Sequence, residues 1–252
     1  MFSRIADEYR GSTVVIVGAG GIGGEIVRQV MLGASSLVVA DYEDAVLDQL
    51  AGQYGSQKLR TRKLDVRDSA AVADFANFMS TTVGAPQFFF YTAGILTVEP
   101  FAQTSARDWE RAVAVNLTGA FHCSKAVAEL MIPQKRGSIV LLGSIAGTKA
   151  RSGSRVNPVY NVTKAGLAAF VNAAAMQLRG HGIRINCISP GPTATPMMDV
   201  QPAQVHEAIR EITLDSRLNH PAEVAELALF VAAHGRFTGE DVCMGGGAGL
   251  GG

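Results

Sequence analysis

Thr13-Val14-Val15-Ile16-Val17-Gly18-Ala19-Gly20-Gly21-Ile22-Gly23-Gly24 is the stretch that decides the architecture. Thr13 to Val17 is a continuous β-branched, apolar run. Such a run predicts a strand buried on both faces, as in a parallel sheet. Glycines follow, and Glu25 to Leu32 then carries a helical pattern. Strand, glycine turn and helix in that order give meaning to G-x-G-x-x-G, here Gly18, Gly20 and Gly23. The glycines permit a tight turn and close approach of backbone N–H groups to a pyrophosphate, and the helix N-terminus favours its negative charge. Gly21 and Ile22 belong to the same cradle.

Moving outward, Leu37 to Ala40 reads as the next strand and ends at Asp41. A carboxylate there can accept hydrogen bonds from both hydroxyls of an adenosine ribose, and it repels a 2′-phosphate. Tyr42 follows, not an arginine that could pair with that phosphate. NAD is therefore favoured over NADP. The alternation continues with strands at Lys58 to Leu64, Gln87 to Tyr91, Gly137 to Leu142, Ile183 to Ser189 and Asp241 to Met244. Helical patterns cover Ser69 to Val83, Trp109 to Met131, Pro158 to Leu178 and Glu223 to Ala233. Alternating strands and helices imply an α/β fold: a doubly wound, Rossmann-type parallel sheet, in a single domain spanning 1–252. Ligands of such sheets bind beyond the carboxyl ends of the strands. Asp65, Thr92-Ala93-Gly94, Ser144 and Pro190 to Thr195 all fall there.

Composition sets the limits. Hydrophobic residues make up 48% and charged ones 17%, which suits a compact core. Lys plus Arg equals Asp plus Glu at 22 each, so nothing points to nucleic acid or an anionic membrane as partner. Cys123, Cys187 and Cys243 are far apart and lack metal-ligand spacing, so no metal is expected. Buried thiols suit a reducing compartment. Met1 to Gly11 has no apolar signal core, and no run approaches a membrane span. A cytoplasmic location is expected.

Tyr160 and Lys164 stand four residues apart, a spacing that shares one helix face. A phenol of pKa about 10 is a poor proton exchanger at neutral pH, and a neighbouring cation lowers that value. The pair is suited to moving a proton to or from an alcohol or carbonyl oxygen. With it come Asp65-Val66, Thr92-Ala93-Gly94, Asn116-Leu117-Thr118-Gly119, Gly143-Ser144-Ile145-Ala146-Gly147, Pro190-Gly191 with Thr195, Thr238-Gly239 and Gly245-Gly246. In this order they resemble the short-chain dehydrogenase/reductase family, over nearly the whole chain. The resemblance implies a catalytic set of Asn116, Ser144, Tyr160 and Lys164. Tyr160 would exchange the proton and Ser144 would hydrogen-bond the substrate oxygen. Lys164 would lower the tyrosine pKa and hold the nicotinamide ribose, and Asn116 would hold a water linking Lys164 to solvent. Asp65 would bind the adenine amine and Val66 add a backbone contact. Ala93 and Gly94 would flank the adenosine ribose. Pro190, Gly191, Thr193 and Thr195 would hold the nicotinamide amide. A homotetramer, or a homodimer, would form through the helices spanning Ala112 to Ala128 and Leu167 to Met176.

Three places depart from the family pattern. The glycine turn lacks the usual threonine before Gly18 and has one fewer residue before Gly21. Thr92 stands where an asparagine usually braces the central strand. The segment from Ser144 to Tyr160 is longer than usual and carries Lys149, Arg151 and Arg155, a basic stretch at 148–157 expected to border the substrate. The second substrate-side segment, 192–214, contains Met197 and Met198 and reads as a partly apolar lid. The tail from Gly245 holds six glycines, so it should lack stable structure unless it docks on a neighbouring subunit. The expected activity is NAD(H)-dependent interconversion of a secondary alcohol and a ketone in a small substrate. A reductive, NADP(H)-type ketoreductase of acyl chains or secondary metabolites is the enzymatic alternative. A non-catalytic NAD-binding regulator would have no need of all four catalytic residues.

Overall fold

The computed structural model describes residues 7–55, 57–97, 99–148, 158–199 and 203–248. Seven strands form one parallel sheet: β1 (Thr13–Val17), β2 (Ser36–Asp41), β3 (Leu59–Lys63), β4 (Phe88–Tyr91), β5 (Gly137–Leu142), β6 (Ile183–Pro190) and β7 (Asp241–Met244). Their order is β3-β2-β1-β4-β5-β6-β7. The direction of winding reverses between β1 and β4, the switch point at which such sheets bind ligands. The fold is the Rossmann-type α/β sheet that the alternation implies.

Eight helices of eight or more residues are described: α1 (Gly21–Val30), α2 (Asp44–Tyr54), α3 (Ser69–Phe78), α4 (Ala106–Val113), α5 (Ala120–Met131), α6 (Pro158–Leu178), α7 (Ala203–Ile212) and α8 (Pro221–Ala233). Successive strand residues point to opposite faces, which divides the core in two. Val15 and Val17 join Val72 and Phe75 of α3, Val127 of α5 and Leu167 of α6. Val14 and Ile16 join Ile26 of α1, Leu50 of α2 and Leu229 of α8. Val14, Val15 and Ile16 have no exposed surface. Burying such a side chain contributes about 1.5–3 kcal/mol.

Two expected helices prove to be composite. The pattern from Trp109 to Met131 begins earlier, at Ala106, where Ser105 and Asp108 form a capping box. It is then broken by a π-turn, Ala114–Gly119. The helix from Ser69 likewise ends in a π-turn, Met79–Val83. The hydrophobic period persists through such a turn, so the pattern does not reveal it.

The glycine-rich tail departs from expectation. Gly246 and Gly247 take the positive φ angles of +56° and +87° that glycine favours. The turn closes through Ala248 N to Gly245 O at 3.0 Å, and Gly246 O accepts from Leu214 N at 2.7 Å. Residues 245–248 therefore dock on their own chain, which supplies the hydrogen bonds that the composition alone does not promise. The basic stretch from 149 to 157 lies outside the described residues, as does 249–252.

Candidate active site

The carboxyl end of β1 meets the start of α1 at the glycine turn. Gly18 has φ +92°, and a Cβ there would lie 2.3 Å from Ala93 N. A Cβ on Gly23 would lie 1.9 Å from Gly18 O, so no side chain fits where helix and strand cross. Gly21 faces the lid segment, with its missing Cβ 2.9 Å from Thr195 Cγ2. Gly20 has open space where a Cβ would stand. Ile22 is buried in the core, so only its backbone can face a ligand. The first turn of α1 carries no acidic side chain, and its N-cap is Gly20, without a capping hydrogen bond. Exposed amide dipoles without an internal anion fit a pyrophosphate.

Asp41 closes this end of the site. Its Oδ2 accepts from Ala19 N at 2.6 Å and its Oδ1 from Glu43 N at 2.9 Å, which fixes the carboxylate beside the turn. Thr92 occupies the bracing position at the end of β4. Its hydroxyl donates to Gly18 O and lies 3.3 Å from Val17 O, so the smaller side chain ties β4 to the glycine turn directly. Ala93 N also bonds Val17 O, at 3.0 Å. Val66 is buried, whereas Asp65 is held by Arg67 and Tyr42 is half-exposed.

The residues expected to carry the acid/base chemistry lie just after β5, on α6 and in the turn between α4 and α5. Ser144 follows β5; its Oγ accepts from Ala146 N at 3.2 Å and lies beside the Tyr160 phenol, near enough to act on its ionisation. Lys164 lies one turn beyond Tyr160 on α6, with Nζ 5.6 Å from the phenol ring centroid. That ammonium is buried and donates to Leu142 O at 2.7 Å. A Cβ on Gly94 would sit 3.4 Å from both Lys164 Nζ and Asn116 Oδ1, which places the three residues at one point.

Asn116 is fully buried in the π-turn between α4 and α5. Its Oδ1 accepts from Ile95 N (2.8 Å), and its Nδ2 donates to Ile95 O (2.9 Å) and Thr163 Oγ1 (3.1 Å). Both amide hydrogens are thus committed. Asn116 is at once the residue of a helix irregularity and a clamp on the loop beside Lys164. Thr163, absent from the sequence reading, completes the clamp by donating to Tyr160 O at 2.8 Å. The only sequence signal for it is its place between Tyr160 and Lys164.

Burial acts on both titrating groups. It pushes the Tyr160 phenol above its ordinary value, and the neighbouring Ser144 hydroxyl pulls the other way. The lysine-driven lowering expected from the spacing is not what dominates in the cofactor-free geometry, because desolvation of a phenolate outweighs a cation bonded elsewhere. Burial also lowers Lys164, to about 8.

At the nicotinamide end, Pro190 is the last residue of β6, and Gly191 N donates to Met244 O at 2.8 Å. Thr193 Oγ1 donates to Gly191 O at 2.9 Å, and Thr195 packs on Gly21.

The family described as enoyl-(acyl carrier protein) reductase matches residues 17–248. The chain belongs to the short-chain dehydrogenase/reductase family. It is 31% identical to a (3R)-3-hydroxyacyl-CoA dehydrogenase of Homo sapiens, over 98% of this chain and 99% of that one. Momilactone A synthase of Oryza sativa subsp. japonica is also 31% identical, over 93% and 88%. A solved 3-oxoacyl-[acyl-carrier protein] reductase from Brucella melitensis with bound NAD superposes with TM-score 0.86 at 27% identity, covering 98% and 95%. Short-chain dehydrogenases/reductases are oxidoreductases of CH–OH groups that bind a nicotinamide cofactor. Among the described residues, no helix of this member is long and apolar enough to cross a membrane.

Proposed function

We propose that the protein is an NAD(H)-dependent oxidoreductase interconverting a secondary alcohol and a ketone on a small substrate. The observation that carries this reading is the Ser144 hydroxyl beside the Tyr160 phenol, with the buried Lys164 ammonium one helical turn away. Tyr160 holds or delivers the proton at the substrate oxygen. Ser144 donates to that same oxygen and steadies its developing charge. Lys164 supplies a fixed positive charge beside Gly94, and the Asn116–Thr163 clamp keeps that loop and the first turns of α6 in register. With its side-chain donors committed, Asn116 holds a water through Oδ1 or its own carbonyl.

The dinucleotide is held by the glycine turn (Gly18, Gly20, Gly21, Ile22, Gly23), by Asp41 at the adenosine ribose, and by Thr92, Ala93 and Gly94. Asp65, Val66 and Tyr42 serve the adenine end, and Pro190, Gly191, Thr193 and Thr195 the nicotinamide end. When bound, the nicotinamide accepts or supplies the hydride. The fixed Asp41 carboxylate supports NAD over NADP. The protonated phenol favours donation to a carbonyl at neutral pH, so a reductive ketoreductase is the second reading.

A panel of alcohols and ketones, run with NAD(H) and NADP(H) and followed at the nicotinamide absorbance, tests both. Tyr160→Phe should lower kcat by about 10²–10⁴ while NADH still binds. Retained turnover would remove Tyr160 from the chemistry. Assembly as a dimer or tetramer fits the outer face of α5 and α6, where exposed Phe121 meets Phe170 with ring centroids 6.0 Å apart. Phe121→Glu should shift light scattering toward monomer, and an unchanged mass would place the interface elsewhere.

A further inference from the structure

The adenine end contains a side chain that none of the motifs singles out. Arg67 lies just beyond β3, two residues after Asp65. Its Nε donates to Asp65 Oδ1 at 2.8 Å and Oδ2 at 3.1 Å, and its Nη2 donates to Oδ2 at 2.6 Å. The Arg67 backbone N adds a bond to Oδ1 at 3.0 Å. A carboxylate offers about four acceptor sites, and three N–H groups of this one residue point at them, with Nε shared between both oxygens. Asp65 consequently stays ionised, its carboxyl held below the ordinary value by Arg67. It has little capacity left for an adenine amine, the role that the family resemblance gives it.

The guanidinium has a second neighbour. Its central carbon lies 5.4 Å from the Tyr42 ring centroid, within cation–π range. Tyr42 directly follows Asp41 and is 52% exposed. An exposed ion pair contributes little to stability, and a surface tyrosine beside it buries little. The arrangement makes more sense as a binding surface: a planar cation, fixed flat by bidentate pairing, between the ribose carboxylate and the end of β3. Such a plane stacks on aromatic faces, which the point charge of lysine does less well.

We infer that Arg67 is a cofactor-binding residue whose guanidinium, locked by Asp65 and flanked by Tyr42, forms the wall on which the adenine ring lies. Asp65 is then a positioning residue acting through Arg67. This rests on the dinucleotide reading above.

Calorimetric titration of the full chain with ADP-ribose, NADH and reduced nicotinamide mononucleotide tests it. Arg67→Met should weaken ADP-ribose and NADH about three- to tenfold and leave the mononucleotide, which has no adenine, unchanged. Arg67→Lys should not restore the loss. Asp65→Asn should reproduce its direction at smaller size, with the melting temperature of each variant near the parent's. Equal ADP-ribose affinity in parent and Arg67→Met, restoration by Arg67→Lys, or an equal loss with the mononucleotide overturns the assignment. A parent chain that binds neither ADP-ribose nor either dinucleotide overturns the underlying reading instead.

Discussion

Lys164 shows what the site costs the fold. It is 4% exposed, and burial holds its pKa at about 8, below its ordinary value of 10.5. A lysine with a depressed folded pKa destabilises the native state in its protonated form. That penalty is complete below pH 8, about 3 kcal/mol by linkage, and fades as pH rises from 8 toward 10.5. Lys164→Met should therefore stabilise the cofactor-free protein at pH 7 while abolishing turnover, and the gain should shrink by pH 10. Buried Cys123 and Cys187, both pushed up to about 12, act oppositely above pH 9. The decisive quantity is thus the difference in melting temperature between variant and parent at each pH. A difference that is zero or negative at pH 7 would mean the buried ammonium is better compensated than its bond to Leu142 O implies. Asp41 offers a second test at this scale. If Asp41 holds the adenosine ribose as proposed, Asp41→Ala should lower the ratio of NAD to NADP affinity, measured by titration, about tenfold or more. An unchanged ratio would take Asp41 away from the ribose.

At the scale of elements, the segment expected to act as a lid is anchored more firmly than its sequence suggests. Its second foot, after α7, is knotted to the C-terminal turn and to the Pro190-Gly191 bend. Leu214 N bonds Gly246 O, and Asn219 Nδ2 and Gly191 N both donate to Met244 O at 2.9 and 2.8 Å. Asn219 N also reaches back to Pro192 O at 2.8 Å. Gly247 holds φ +87°, and a Cβ there would lie 3.3 Å from Leu214 Cβ. Gly247→Val should strain this turn, free the foot and quicken hydrogen exchange across 203–212, while exchange in α1 stays as in the parent. Protection unchanged in α7 would show that the knot does not restrain the lid. None of this was legible beforehand, because the contacts join residues far apart in sequence through backbone groups, which every residue carries. The sheet was legible for the opposite reason: buried parallel strands such as Val14 to Val17 must be continuously apolar, and the turn after them has no room for a side chain at Gly18 or Gly23. That Tyr160 and Lys164 share one helix was legible from their spacing, but the contacts of Arg67 and Thr163 were not, since an Asp-x-Arg step and a helical threonine are ordinary wherever they occur.

For the whole molecule, the sheet separates chemistry from stability. The site lies at the carboxyl ends of the strands, whereas the amino end of β6 carries Arg184. Its guanidinium donates to Val231 O, His234 O and Phe237 O at 3.3, 3.0 and 3.2 Å, and also to Ala232 O. Arg184 thus satisfies carbonyls left open where α8 ends. Tyr9 helps from the other side, buried and donating to Leu229 O at 2.9 Å. Replacing Arg184 by Met keeps much of the stem packing but leaves several half-buried carbonyls without a donor, which should cost about 2–3 kcal/mol. For a chain of this length that corresponds to a fall of about 4–10 °C in melting temperature. Because α8 contributes no group to the acid/base cluster, kcat measured well below the transition should stay within about twofold of the parent. A fall in kcat comparable to that of Tyr160→Phe would show that strain at the amino end of β6 travels along the strand to Pro190. A melting temperature equal to the parent's would show that water satisfies the freed carbonyls as well as the guanidinium does.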